Sequence, residues 1–99
     1  MPNEIVRFDW DAANLGKCRK HGVSITEIED LLAGDPRIAP NPKHLLSEQR
    51  FIAIGRNAAG RPMFVAFTLR RRGRRSLIRP ISARYMHAKE IARYEAEGP

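Results

Sequence analysis

Gln49-Arg50-Phe51-Ile52-Ala53-Ile54, then Asn57-Ala58-Ala59-Gly60, then Pro62-Met63-Phe64-Val65-Ala66-Phe67-Thr68-Leu69-Arg70 is the stretch whose reading decides the fold class. Its first part alternates as a β-strand does, its middle is a hairpin turn, and its last part is a second strand running back. On that second strand Met63, Val65 and Phe67 share one face, while Phe64, Ala66 and Thr68 share the other. Successive strand side chains point to opposite sides. Both sets are largely apolar, so the strand is expected at the centre of a sheet and covered on both sides.

Working outward, Arg71-Arg72-Gly73-Arg74 reads as the next turn and Ser76 to Arg84 as a third strand. Pro80 inside it marks an edge position or a bulge, because proline has no amide hydrogen for a ladder. Lys89 to Glu97 is helical by propensity, with Ile91 and Tyr94 as its inward pair. Upstream, Ile5 to Trp10 alternates loosely and reads as a short first strand. Asp11 is then a good N-cap for a helix from Ala12 to Lys20, and Gly22 supplies the stop. Ser24-Ile25-Thr26-Glu27 has the capping-box pattern, and Ile25, Ile28, Leu31 and Leu32 fall at helical spacing, predicting a second helix to Ala33. Gly34-Asp35-Pro36 breaks it, and Pro40-Asn41-Pro42 begins a loop. The expected layout is α+β: an N-terminal strand, two helices, a three-stranded antiparallel meander and a C-terminal helix.

Ninety-nine residues are read as one domain, 1–99, able to bury a single core. The charges are segregated. The first 48 residues carry 6 basic and 8 acidic side chains, and the last 51 carry 12 and 3. Between Glu48 and Glu90 there is no Asp or Glu at all among 41 residues, eleven of which are Lys or Arg. Guanidinium groups without counter-charges repel one another unless a polyanion is their neighbour. Arg70, Arg71, Arg72, Arg74 and Arg75 read singly as a solvated hairpin tip, and as a set they attract RNA or DNA with strong salt dependence. Seven aromatics, mostly placed as core, argue against a sheet that stacks rows of bases. The lone Cys18 excludes an internal disulfide and reads as a small apolar residue on a helix. No run approaches a membrane span and no signal peptide opens the sequence, so a cytoplasmic protein is expected, without membrane contact.

Cutting RNA without a metal needs a base for the 2′-hydroxyl proton, cations for the charged transition state, and an acid for the leaving oxygen. Suitable groups are Lys20 and His21 after the first helix, Glu48 and Arg50 entering the meander, and Arg79 and Arg84 on its last strand. His44 and His87 are further proton-transfer candidates. Glu48 reads equally as a salt-bridge partner of Arg50, and His21 equally as a helix C-terminal cap. His21, His44 and His87 share no ligand spacing, and the basic half lacks the carboxylates that gather around Mg²⁺. Arg79 sits two residues from Leu77 and from Ile81, so it must stretch to solvent or find an anion. The competing reading is a non-catalytic basic nucleic-acid-binding module. A third is that the basic face receives an acidic protein partner.

Phe8-Asp9-Trp10-Asp11, then Asn14, then Lys20-His21-Gly22-Val23-Ser24 resembles the opening of BrnT-type toxins of bacterial toxin–antitoxin pairs. The likeness continues through Asp35-Pro36, Glu48 with Arg50, Ile54-Gly55, Gly60-Arg61 and Ile81-Ser82-Ala83-Arg84, and ends at Glu90 and Tyr94. It departs at Leu69, where the family often has an acidic residue, and at Pro80. The resemblance implies a compact RelE-like endoribonuclease that needs no metal or other cofactor and halts translation. It carries over Lys20, His21, Glu48, Arg50, Arg79 and Arg84 as site residues. Arg79 and Arg84 would then hold the scissile phosphate with Arg50 assisting, and Lys20, His21 or Glu48 would move protons. The implied partner is a BrnA-like ribbon-helix-helix antitoxin that masks the toxin. Their complex, a heterotetramer, would reach operator DNA only through the antitoxin.

Overall fold

The computed structural model describes residues 6–41 and 48–97. In chain order the elements are α1 (Ala12–Arg19), α2 (Ile25–Ala33), β1 (Arg37–Pro40), β2 (Arg50–Arg56), β3 (Pro62–Arg72), β4 (Arg75–Tyr85) and α3 (Ala88–Ala96). The four strands form one antiparallel sheet in the order β1-β2-β3-β4. The α+β expectation and the antiparallel meander hold. His44 lies outside the described residues.

Both early caps form as their side chains dictate. The Asp11 carboxylate accepts from the Ala13 and Asn14 amides, and the Asn14 side chain returns a bond to the Asp11 amide. Ser24 and Glu27 make the reciprocal pair at the start of α2. Between the helices Gly22 takes φ +85°, a conformation that L side chains resist. The β3–β4 turn is only Gly73-Arg74, tighter than the four residues expected. Gly73 at φ +64° lets Arg72 pair with Arg75, so Arg71 and Arg72 belong to β3.

One sheet face carries the core. Ala53, Met63, Val65, Phe67 and Ala83 pack against Cys18, Ile28, Leu31 and Leu32 from the two helices and Val23 from the connection between them. Fully burying Ile28, Val65 or Met63 contributes roughly 1.5–3 kcal/mol each. Helix α2 approaches so closely that a Cβ added at Gly55 would overlap the Leu31 Cδ1 methyl. The opposite face is not covered as expected by the described residues. Its cross-strand rows Ile52–Ala66–Ser82 and Ile54–Phe64–Arg84 are at most half-buried, and among the described elements only α3 stands over one end of them. Helix α3 has no buried residue, and its supposed inward pair, Ile91 and Tyr94, is half-buried. Cations hold it instead: Arg37 and Arg56 both lie 5.3 Å from the Tyr94 ring centre, and they pair with Glu97 and Glu95.

Two further departures have local causes. Of the strand expected over Ile5 to Trp10, Ile5 lies outside the described residues and the rest forms one parallel bridge, Phe8 with Ile78, flanked by hydrogen bonds from the Asp9 amide to Ile78 and from the Ile78 amide to Arg7. An unexpected strand, β1, forms between Pro36 and Asn41. Proline is tolerated there because β1 is an edge strand with one side unpaired. The Pro80 expectation is met twice. Strand β4 is an edge, and its register slips by one so that Ala66 faces Ser82 while Phe67 faces Pro80. Ile81 is the extra residue of that bulge, so the simple alternation around Arg79 does not apply. The buried Asn14 amide uses the place, donating to the Pro80 carbonyl at 2.8 Å and to the Asp9 carbonyl at 2.9 Å.

Candidate active site

The uncovered face of the sheet forms a groove of about 410 Å³, with Ile52, Phe64 and Ala66 as its floor and His21, Ser82 and Arg84 at its rim. His21 reaches it because α1 ends beside the β4 edge and Gly22 turns the chain there. A second recess of about 320 Å³ adjoins it, lined by His21, Arg61, Arg84, Tyr85, Met86 and His87. The two share His21 and Arg84. Lys20, at the C-cap of α1, is exposed and lines neither.

Arg84 stacks over the Phe64 ring at 4.6 Å, and its two terminal nitrogens each meet a Glu90 oxygen at 2.8 Å. That fork raises the guanidinium pKa above its ordinary value, more than burial lowers it. On the other side of the pair, Arg84 and the His87 amide hold Glu90 at about 2, so it is an anion at neutral pH. Glu27, half-buried at the start of α2, also sits at about 2. Burial pushes it up, but hydrogen bonds from Asn57, the Ser24 amide and Tyr85 outweigh that. Tyr85 donates to Glu27 at 2.7 Å, which raises the phenol's own pKa.

The remaining sequence candidates collect elsewhere. Arg50 and Arg79 face Thr68 from its two sides, at the Gly73 end of the sheet. Arg79 and Arg84 oppose Thr68 and Phe64, four rungs and so about 13 Å apart along β3. Arg79 grips Asp11 through both terminal nitrogens at 3.0 and 3.1 Å and reaches Asp9 at 3.4 Å. Asp11 foremost raises its pKa, and Arg79 in turn lowers that of Asp11. Arg72 also pairs with Asp9. Glu48 lies between Arg70 at 3.2 Å and Arg50 at 3.8 Å. The structure therefore brings His21 and Arg84 together and sets Arg79, Arg50 and Glu48 apart from them. Among the described residues Arg71, Arg74 and Arg75 make no ion pair. Cys18 is fully buried, which pushes its thiol up to about 11. The described residues contain no group of three or more His, Cys, Asp or Glu that could hold a metal ion.

A family model described as "Ribonuclease toxin, BrnT, of type II toxin-antitoxin system" matches residues 10–90. The chain belongs to the BrnT family. A search of the curated proteins found no match. A type II system pairs a toxin with a protein antitoxin, so membership supplies both an RNA-cleaving activity and a protein partner in outline. In this BrnT-family chain no helix among the described residues is long and apolar enough to cross a membrane.

Sequence reasoning missed two residues of the recess, Arg61 and Tyr85, and Glu27 beneath them. Arg61 was one of eleven cations, set apart by its position just after the Asn57–Gly60 turn and by the Gly60-Arg61 likeness, but with no role attached to it. Glu27 was already explained by the capping box, which hid its bonds to Tyr85 and Asn57. Tyr85 lay just past the strand expected over Ser76 to Arg84 and was given no role.

Proposed function

We propose that this chain is a metal-independent endoribonuclease of RelE-like fold, a single 1–99 domain in the cytoplasm, that halts translation by cutting RNA in the groove beside β4. The observation that carries this reading is the meeting of His21, from the turn after α1, with Arg84, from the cation-rich half of the chain, on the sheet face that the described residues leave open. In the reaction, His21 takes the proton from a ribose 2′-hydroxyl. The freed oxygen attacks the adjacent phosphorus, the bond to the 5′-oxygen breaks, and that oxygen takes a proton. The products are a 2′,3′-cyclic phosphate and a 5′-hydroxyl. Arg84 stabilises the charge that builds on the phosphoryl oxygens, and His87, lining the same recess, is the acid. Glu48 is committed to Arg50 and Arg70, so it serves their placement more than proton transfer. Lys20 and the Arg70 to Arg75 tip attract the RNA backbone, as does the row of Arg50 and Arg79. A BrnA-like ribbon-helix-helix antitoxin neutralises the toxin as a heterotetramer, and operator DNA is reached only through it.

The test is incubation of the purified protein with RNA in EDTA. The parent should cleave, and His21→Ala and Arg84→Ala should each slow cleavage by about 10²-fold or more while keeping the parental melting curve. Undiminished cleavage by both variants would overturn the assignment. Bound but intact RNA would favour the non-catalytic module, a reading that the carboxylates on Arg79 and Arg84 also favour.

A further inference from the structure

Most guanidinium groups fixed on the sheet already hold a carboxylate: Arg84 has Glu90, Arg79 has Asp9 and Asp11, and Arg50 and Arg70 share Glu48. Arg61 differs. Its guanidinium carbon lies 3.6 Å from the Tyr85 ring centre, at face-to-face stacking distance, and no carboxylate among the described residues pairs with it. It lines the recess with His21, Arg84 and His87. Stacking occupies the flat face of a guanidinium and leaves its edge N–H donors free, which is the geometry that grips a phosphate with two bonds. The ring also restrains a side chain that would otherwise lose much rotamer freedom on binding.

Both supports of Arg61 trace to one residue. The Glu27 carboxylate receives the Tyr85 hydroxyl at 2.7 Å and so fixes the ring under the guanidinium. It also receives the Asn57 side-chain amide at 2.7 Å. The side-chain Oδ1 of Asn57 in turn accepts from the Arg61 amide at 2.8 Å and the Ala59 amide at 3.0 Å, shaping the turn that delivers Arg61. Glu27 therefore holds the ring and the backbone on which Arg61 depends, from a helix on the core side of the sheet.

We propose that Arg61 is a phosphate-binding residue of the RNA site and that Glu27 is its positioning residue, acting through Tyr85 and Asn57. This rests on the reading of the recess as an RNA site. It adds the group that meets the backbone before Arg84 can exchange Glu90 for a phosphate. The ligand is the phosphodiester of a single-stranded RNA, one phosphate per Arg61.

The experiment measures affinity for a 2′-O-methyl oligoribonucleotide, which cannot be cut by 2′-oxygen attack, as a function of salt. Arg61→Ala should weaken binding by about tenfold at moderate salt and lower the slope of log K against log salt by about 0.7, the value for one phosphate contact on a single strand. Arg61→Lys should restore the slope and part of the affinity. Tyr85→Phe keeps the ring and cuts its tie to Glu27, so it should weaken binding less than Arg61→Ala does. Glu27→Ala should weaken binding in the parent and have no further effect in the Arg61→Ala background, a coupling that general loosening of the fold would not produce. Parental affinity and slope in Arg61→Ala would overturn the proposal, as would no binding by the parent. Equal losses from Glu27→Ala and Tyr85→Phe in both backgrounds would overturn the positioning role. The readout is binding alone, so absent cleavage with an intact Arg61 effect would reject only the catalytic reading, and the reverse pattern only this one.

Discussion

The two ends of β4 use the same residue type in opposite ways. Toward the Gly73 turn, Arg79 is 13% exposed and saturated by Asp9 and Asp11. Toward α3, Arg61 and Arg84 lie on aromatic rings at an open recess, Arg84 forked by the single carboxylate of Glu90 and Arg61 with no ion pair among the described residues. A guanidinium closed in by two carboxylates is a structural tie, and one laid on a ring is a poised ligand. Local charge density is high at both ends, so density alone does not separate the roles. The distinction comes from where the acids fall, and the acids that close Arg79 come from the first eleven residues.

The largest test of that contrast is stability. Asn14→Ala removes two bonds to buried carbonyls beside the Arg79 tie, and should lower unfolding free energy by about 2–3 kcal/mol in urea titration. Arg79→Ala should also lower the urea midpoint, because it leaves Asp11 without its guanidinium partner and Asp9 with the exposed Arg72 alone. Arg84→Ala should leave the midpoint nearer the parent while weakening RNA binding. If Arg79→Ala melted like the parent and lost only RNA affinity, the two ends would not differ as described.

Acid stability should come next. Glu27 and Glu90 sit at about 2 in the fold against an ordinary 4.5. A depressed carboxylate adds stability above its unfolded value and loses it as pH falls through the folded one. The midpoint should therefore drop between about pH 5 and pH 2, and Glu27→Gln should flatten that limb. A limb unchanged by Glu27→Gln would show that the Tyr85–Asn57 tie contributes little to the fold. The smallest effects belong to the turn. Arg71→Ala, Arg74→Ala and Arg75→Ala should each weaken RNA binding roughly two- to threefold, equally for all sequences, with no shift in melting. A much larger loss from any one of them would move the binding centre from the recess to the tip.

The elements that depend on neighbours in sequence were legible. Asp11, Ser24 and Gly22 act within a few residues, and strand alternation from Gln49 to Arg84 fixed the meander. The Pro80 bulge was legible too, since a missing donor has a local consequence. Strand β1 was not, because Pro36 and Pro40 read as loop residues until an edge position makes them tolerable. The site was half legible. His21 and Arg84 could be chosen as chemistry, but Arg79 looked equivalent to Arg84 because its acids stand 68 and 70 positions away. Arg61 fell within the family likeness, but it could be given no role without seeing the Tyr85 ring beneath it.

The bond from Asn14 to Pro80 spans 66 residues, and its companions from Arg79 span slightly more. Closing a loop that long is entropically unfavourable, and contacts of such separation slow folding. The order of synthesis adds a direction. Helix α1 leaves the ribosome early but has no amphipathic stripe to hold it elsewhere, and its Asn14 amide must wait for a carbonyl made about two-thirds of the chain later. The contacts of α1 with β4 thus form only after the last strand exists, and a message truncated before Pro80 yields a chain that lacks them.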